Sequence, residues 1–259
     1  MLLAIDVGNT ATILGLWDGG HLLERWRIAT DPMRMESEYA VLLRELFAMA
    51  QLSSPDAAIV SSVVPPIEHE LDLALSRLFG IHPLQVDARS TGLAVDLENP
   101  DEVGADRLVN SVAALAYNDP RGRYVVVDFG TATTFDLVEA PGVYRGGAIA
   151  PGPRTAAEAL SLRTAKLPRV DLSRPPEQAV GRSTVQALQS GLVLGYAALV
   201  DGMVRRFLRE AGEALVIATG GFARTVEPVC ETLAIVDDDL TLKGLRIIWE
   251  KSTQHGRAT

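Results

Sequence analysis

The feature that most constrains this chain is an internal repeat. Leu3 to Leu14 run through an apolar stretch into Asp6-Val7-Gly8-Asn9-Thr10-Ala11-Thr12, and Val125 to Phe135 run through Val125-Val126-Val127 into Asp128-Phe129-Gly130-Thr131-Ala132-Thr133-Thr134. The interval from Asp6 to Asp128 equals that from Gly8 to Gly130 and from Thr12 to Thr134. A repeat of this kind predicts two related halves. Each copy reads as a buried β-branched strand followed by a Gly where the backbone can turn tightly or a ligand can come close. Hydroxyl, amide and backbone N–H donors then offer what a phosphate needs, and an Asp at the strand end is placed to hold a cation beside it. One such turn could equally be an ordinary hairpin bend. Two copies facing each other across a cleft make the phosphate reading the stronger expectation.

A chain of 259 residues has room for one large domain or two of about 120 residues, each with its own core, and the repeat favours two, at 1–117 and 118–259. With 47% hydrophobic and 22% charged residues the composition excludes disorder and fits a compact α/β protein. The net charge of −9 sets an unfavourable field for nucleic acid or an anionic membrane. The densest basic groups, Arg121 with Arg123 and Arg205-Arg206 with Arg209, read as a turn and a solvated helix face. The single cysteine, Cys230, rules out an internal disulfide and lacks companion zinc ligands, which fits a reducing cytoplasm. The first apolar run contains Asp6 and reads as a strand, not a signal peptide. The uncharged segment Val185 to Val200 is too short to cross a bilayer.

In chain order, Leu14 to Trp17 extends into a turn at Asp18-Gly19-Gly20, and His21 to Ile28 returns as a partner strand. His21 has no second ligand nearby and reads as a surface residue. Thr30-Asp31-Pro32 announces a helix whose Tyr39, Leu42, Leu43, Leu46, Phe47 and Ala50 form a core stripe. Ala58 to Val64 is a strand, Ile67 to Phe79 a helix closed by Gly80, and Leu84 to Val86 a short strand. Ser90 to Val103 is mostly loop. Gly104 then opens a helix that turns Leu108, Val112 and Leu115 inward. In the second half Thr133 to Glu139 and Val143 to Tyr144 form a hairpin. Gly146 to Gly152 is a Gly/Pro-rich passage of turns or close approach, and Thr155 to Leu167 a helix. Thr184 to Arg209 is a long apolar helix, Leu215 to Ala218 and Leu233 to Val236 are strands, and Leu240 to Glu250 closes the chain. Thr219-Gly220-Gly221 offers bare backbone to a flat base or ribose.

Asp106 and Arg107 fall in the first turn of a helix, where backbone N–H groups are free and the dipole favours an anion. Asp106 is either a favourable first-turn charge or a carboxylate that takes a proton from a hydroxyl. Arg107 is either a surface residue or a two-point grip on a substrate carboxylate. The chain has no P-loop, dinucleotide fingerprint, Gly-x-Ser-x-Gly elbow or His-Glu-x-x-His helix. Its four histidines show no partnered spacing.

Asp6 to Thr10, Ser62-Val63-Val64-Pro65, Asn99-Pro100, Gly104 to Arg107, Asp128 to Thr133, Gly146 to Gly152, Thr164 to Pro168 and Thr219 to Gly221 together resemble, in order and over the whole length, the type III pantothenate kinases. That family belongs to the acetate/sugar kinase, Hsp70 and actin superfamily. The resemblance implies an α/β fold of two ribonuclease-H-like (actin-like ATPase) domains with mixed sheets flanked by helices. It implies phosphorylation of pantothenate by ATP to 4'-phosphopantothenate, the first step toward coenzyme A. It implies that Asp6, Val7, Gly8, Asn9, Thr10, Ala11, Thr12, Ile13 and Thr131 meet ATP phosphates, with Gly220 and Gly221 near the adenosine. Asp106 would be the proton acceptor, Gly104, Ala105, Asp106, Arg107 and Thr184 the pantothenate contacts, and Asp128 the holder of a monovalent cation, K+ or NH4+. Mg2+ would travel with ATP, and the protein would be a cytoplasmic homodimer with the Thr184 to Arg209 helix as candidate interface. Leu97 stands where the family often has an aromatic lining the pantothenate pocket. Met35, Ser37 and Ala11 also depart from the family's usual residues.

Two other readings stay open: a non-catalytic homologue acting in regulation, or a sugar or acetate kinase or polyphosphate phosphatase of the same superfamily. Asp6, Asp106, Arg107 and Asp128 together argue against the first. The Gly104 to Arg107 helix start argues against the second.

Overall fold

The computed structural model describes residues 1–164 and 166–255. In chain order its elements are β1 (Leu2–Val7), β2 (Ala11–Asp18), β3 (His21–Ala29), α1 (Glu36–Ala50), β4 (Ala57–Ser62), α2 (Pro65–Phe79), β5 (Leu84–Gln85), β6 (Ala94–Val95) and α3 (Ala105–Leu115). They continue with β7 (Arg123–Phe129), β8 (Ala132–Glu139), β9 (Val143–Pro151), α4 (Pro153–Arg163), α5 (Thr184–Gln189), α6 (Gly195–Ala211), β10 (Leu215–Thr219), α7 (Ala223–Val226), β11 (Ile235–Val236) and α8 (Leu240–His255). The chain forms two compact units, each around its own sheet.

In the first unit the strand order is β3-β2-β1-β4-β5. β1, β2 and β3 form an antiparallel meander, while β4 lies parallel to β1 and β5 parallel to β4. Parallel neighbours need a crossover, which α1 and α2 provide. β1 is covered on both faces, so it is apolar almost throughout instead of alternating. Leu3, Ile5 and Val7 pack against Tyr39, Leu43 and Phe47 of α1 and Ile67, Leu71 and Leu75 of α2. Leu2 and Ala4 point to the opposite face and pack with Val109 and Val112 of α3 and Leu242, Leu245 and Ile248 of α8. Each large aliphatic side chain buried in this way stabilises the unit by roughly 1.5–3 kcal/mol.

The second unit repeats the plan as β11-β10-β7-β8-β9, with β6 added beside β9. Its core sets Val125, Val127, Phe129 and Phe135 against Val193, Val200 and Val204 of the long helical stretch and Phe222, Ala223 and Val226 around α7. Both meanders carry a bulge at the same place. In β3 Leu22 and Glu24 face successive residues of β2, leaving Leu23 as the extra residue. In β9 Tyr144 and Gly146 do the same against β8, leaving Arg145. A bulge bends a strand and increases its twist, so the repeat extends to the curvature of the sheets.

Several expectations change here. The break between the halves is not a single cut near residue 117. The chain from Thr241 belongs to the first unit, and Ala94–Leu97 belongs to the second. α8 is fixed to the first sheet by close packing: a Cβ on Gly244 would lie 2.2 Å from the Val109 carbonyl, and one on Gly15 would lie 2.8 Å from Leu242. The Gly/Pro passage from Gly146 is strand up to Pro151, with Gly146 at φ +109° beside the bulge. The helix expected over Thr155 to Leu167 runs Pro153–Arg163, and Ala165 of the Thr164 to Pro168 motif lies outside the described residues. The long apolar helix is continuous from Thr184 to Ala211 and passes a test of length and composition for a membrane span. A π-helical turn, Ser190–Leu194, interrupts it, and Val193, Val200 and Val204 pack into the second core.

Candidate active site

The first turn, Gly8 to Thr10, is short because β1 and β2 pair right up to Val7 and Thr12. The Gly8 N–H donates to the Ala11 carbonyl at 3.1 Å, and a Cβ on Gly8 would sit 3.1 Å from that same oxygen. Thr12 is buried (1% exposed), and its hydroxyl meets the Thr30 hydroxyl at 2.9 Å. Thr30 in turn donates to the Gly8 carbonyl at 2.6 Å. A hydroxyl has one proton to give, so Thr12 is the donor to Thr30. Thr12 therefore braces the turn from behind. Val7 is buried in the core, Ala11 and Ile13 are half-buried, and Asn9 and Thr10 are exposed.

Asp6 stands next to the turn. It shares the face of β1 that carries Leu2 and Ala4, which is the face α3 covers. Gly104, Ala105, Asp106 and Arg107 begin α3 on that face, with Gly104 near Val63 at the end of β4. The Gly104 carbonyl accepts from the N–H of Arg107 at 3.1 Å and of Leu108 at 3.4 Å. A Cβ on Gly104 would lie 2.6 Å from Asp106 Oδ1, so only glycine lets the Asp106 carboxylate fold back over the helix start. That carboxylate accepts the Arg107 N–H at 2.8 Å. Desolvation by burial raises the Asp106 pKa above its ordinary value, against the Arg107 N–H and guanidinium, which lower it. A carboxylate held in this state is a better proton acceptor than one in water.

In the second unit the corresponding turn is Gly130-Thr131, and the Gly130 N–H donates to the Ala132 carbonyl at 3.0 Å. Asp128 lies opposite Thr219 of β10, so Asp128 and Gly220 meet at the carboxyl ends of two parallel strands, where open α/β sheets bind ligands. Gly220 has φ +91°, and a Cβ there would lie 2.4 Å from Asp128 Oδ1 and 2.6 Å from the Phe129 nitrogen. Within this unit the structure thus sets Asp128 against Gly220, with Gly221 next in the chain and Thr131 in the turn that follows β7. Leu97 follows β6 and reaches within 3.1 Å of the Cβ position of Gly146. Thr184 is the exposed first residue of α5, next to Ser183, whose hydroxyl accepts the Gln186 N–H at 3.2 Å.

Three residues around the turns had no sequence signal for this placement. Thr30 was legible only as a helix start, Gly152 only as part of a Gly-rich passage, and Thr155 only as a helical residue. Gly152 donates to the Thr131 carbonyl at 2.9 Å, and Thr155 Oγ1 donates to the same carbonyl at 2.6 Å. The second unit also holds a cavity of about 310 Å³ between α4, the segment after Pro168, α5 and Phe222. No cluster of His, Cys, Asp and Glu suited to a metal ion occurs among the described residues.

Residues 2–206 match the profile of the type III pantothenate kinase family. A type III pantothenate kinase from Thermus thermophilus is 65% identical over 245 residues, which cover 95% of this chain and 97% of that protein. Among solved structures, the activator of the 2-hydroxyisocaproyl-CoA dehydratase from Clostridium difficile with bound ADPNP superposes with a TM-score of 0.57 at 14% identity, covering 100% of this chain and 97% of that one. An inorganic polyphosphate/ATP-glucomannokinase from Arthrobacter sp. strain KM superposes with a TM-score of 0.51 at 18% identity over 98% of this chain and 99% of that one. These likenesses show the actin-like ATPase and sugar kinase fold.

Proposed function

The chain belongs to the type III pantothenate kinase family, and from that premise we infer how its own residues carry out the transfer of phosphate from ATP to pantothenate in coenzyme A biosynthesis. The observation that carries the reading is Asp106, a desolvated carboxylate at the mouth of α3 on the face of the first sheet that also bears Asp6. Asp106 takes the proton of the primary hydroxyl as its oxygen bonds to the γ-phosphorus. The bond from that phosphorus to the β-phosphate oxygen breaks, and ADP leaves. Such a transfer is mostly positioning and neutralisation of charge.

Asp6 to Ile13 and Thr131 are the phosphate contacts in this reading, and Gly220 and Gly221 meet the adenosine. The bare glycine backbones at both turns support it, since a phosphate or ribose can approach where no Cβ intervenes. Gly104 to Arg107, Leu97 and Thr184 are assigned to pantothenate, the Arg107 guanidinium suiting its carboxylate. Asp128 is assigned to a monovalent cation, K+ or NH4+. It fits that role because a carboxylate is a hard oxygen donor and Asp128 stands at the carboxyl end of β7 beside β10. Cations, including the Mg2+ carried by ATP, would supply positive charge against the phosphates. The assembly is a homodimer formed through the second unit. Ile149, Leu162 and Val180 support this, exposing 65%, 78% and 80% of their area. ATP as co-substrate and a free Cys230 suit the cytoplasm, with neither nucleic acid nor membrane as partner.

The test is purified protein with ATP, Mg2+ and K+, scored for phosphate transfer to pantothenate beside a panel of sugars. Transfer to pantothenate and not to sugars is expected. Transfer only to a sugar would replace the substrate assignment, and no transfer to any acceptor would favour a regulatory role.

A further inference from the structure

In each unit the residue that follows the third strand of the meander reaches back to the turn between the first two. Ala29 ends β3 opposite Ala11, and Pro151 ends β9 opposite Ala132, so Thr30 and Gly152 hold matching positions. Their backbones do the same thing: Thr30 N–H donates to the Thr10 carbonyl at 3.2 Å and Gly152 N–H to the Thr131 carbonyl at 2.9 Å. Their side chains cannot match. At Thr30 the hydroxyl fits and donates to the Gly8 carbonyl at 2.6 Å. At 152 a Cβ would lie 2.3 Å from the Gly130 carbonyl and 2.6 Å from that of Thr131, so no side chain can stand there. The hydroxyl comes instead from Thr155, three residues on in the first turn of α4, and donates to the Thr131 carbonyl at 2.6 Å.

We propose that Thr30 and Thr155 are positioning residues for the nucleotide, each pinning a turn carbonyl so that the turn presents N–H groups to the phosphates. The inference rests on the kinase reading above. A trans peptide holds its C=O and N–H on opposite sides. Tying the Gly8 and Thr131 carbonyls to the chain behind them directs the Asn9 and Ala132 N–H groups the other way. It also removes two partial negative charges from where a polyanion would be repelled. In the first unit the Thr12 hydroxyl completes the chain by donating to Thr30. The two hydroxyls close different carbonyls, that of Gly8 in the first turn and that of Thr131, the counterpart of Thr10, in the second, so each turn has one carbonyl held by a hydroxyl from the chain behind it.

The test uses the full chain with Thr30→Val, Thr30→Ser, Thr155→Val and Thr155→Ser. Affinity for a non-hydrolysable ATP analogue is measured by calorimetry, and KM for each substrate is measured separately. Each Val variant is expected to lose about tenfold in analogue affinity and to raise the ATP KM alike, as one hydrogen bond to the turn is removed. The pantothenate KM should stay within twofold, and the Ser variants should restore nucleotide affinity. Folded Val variants that bind the analogue within twofold of the parent, or that weaken both substrates equally, would overturn the proposal. Thr155 lies at the surface, so if Thr30→Val does not fold, Thr155→Val decides. A parent protein that binds the analogue but leaves pantothenate unphosphorylated would refute the substrate reading and still leave the affinity comparison valid.

Discussion

Thr12 and Thr133 occupy the same position in the two sheets. Thr12 stands opposite Val7 at the end of the β1–β2 ladder, and Thr133 stands opposite Phe129 at the end of the β7–β8 ladder. Both are buried, at 1% and 0% exposed. A fixed offset in the sequence pairs Thr12 with Thr134, because the first turn holds one residue more than the second. Thr134 instead stands opposite Asp128 and donates to the buried Asp136 carboxylate at 3.0 Å, which Tyr144 also reaches at 2.6 Å. A shift of one residue moves a strand side chain to the other face, so the two threonines face different surroundings.

Asp106→Asn should lower kcat by on the order of 10²–10⁴ while nucleotide affinity stays within twofold. Steady-state kinetics with a parallel analogue titration checks this. Undiminished turnover would remove Asp106 from its role as proton acceptor.

The raised Asp106 carboxyl also fixes the pH dependence. Below its pKa the group is protonated and cannot accept a proton, so kcat/KM should fall on the acid side, with the limb above the ordinary carboxylate value. The sign for stability is opposite: an acid whose pKa is raised by folding favours the native state at low pH, and that contribution is lost as pH rises through the folded value. Asp106→Asn should therefore unfold at higher denaturant than the parent at neutral pH, and the two midpoints should converge as pH falls. A pH series of urea titrations reads both.

Gly220→Ala and Gly244→Ala should separate site from scaffold. At 220 a Cβ at φ +91° collides with Asp128 and the Phe129 backbone. Nucleotide binding should weaken at least tenfold, with a stability loss of about 1–3 kcal/mol. At 244 the Cβ would meet the Val109 carbonyl at 2.2 Å and force α8 off α3. Denaturation should shift by a similar or larger amount, while the nucleotide contacts proposed for Gly220 and Thr131 have no reason to change. Equal effects of the two substitutions on nucleotide affinity would contradict the assignment of Gly220.

Asp201 is buried and accepts from the Glu231 N–H at 3.0 Å, the Thr232 N–H at 2.9 Å and the Thr232 hydroxyl at 2.8 Å. Asp201→Ala leaves those donors without an acceptor and should cost about 2–4 kcal/mol. Cys230 sits beside it, its thiol pushed up to about 12 by burial and then by the Asp201 charge. A thiol reagent at pH 8 should therefore modify the folded parent slowly, and Asp201→Ala faster. Rapid labelling of the folded parent would show that the thiol is not held in this way.

The residues themselves determined the two strand-turn copies, the apolar runs that become β1 and β7, the stripe of α1 and the acidic start of α3. Those patterns are local: alternation, helical spacing, and a glycine where the backbone must bend. Tertiary structure alone decided that α8 belongs to the first sheet and that Ala94–Val95 extends the second, since an apolar helix face or a two-residue strand is compatible with either. It also decided that Thr133 answers to Thr12 and that Thr30 and Thr155 hold the turns. Those are facts of register and of hydrogen bonds closed over some twenty residues, 8 to 30 and 131 to 155, and no short-range pattern encodes a contact whose partners meet only once the sheet has formed.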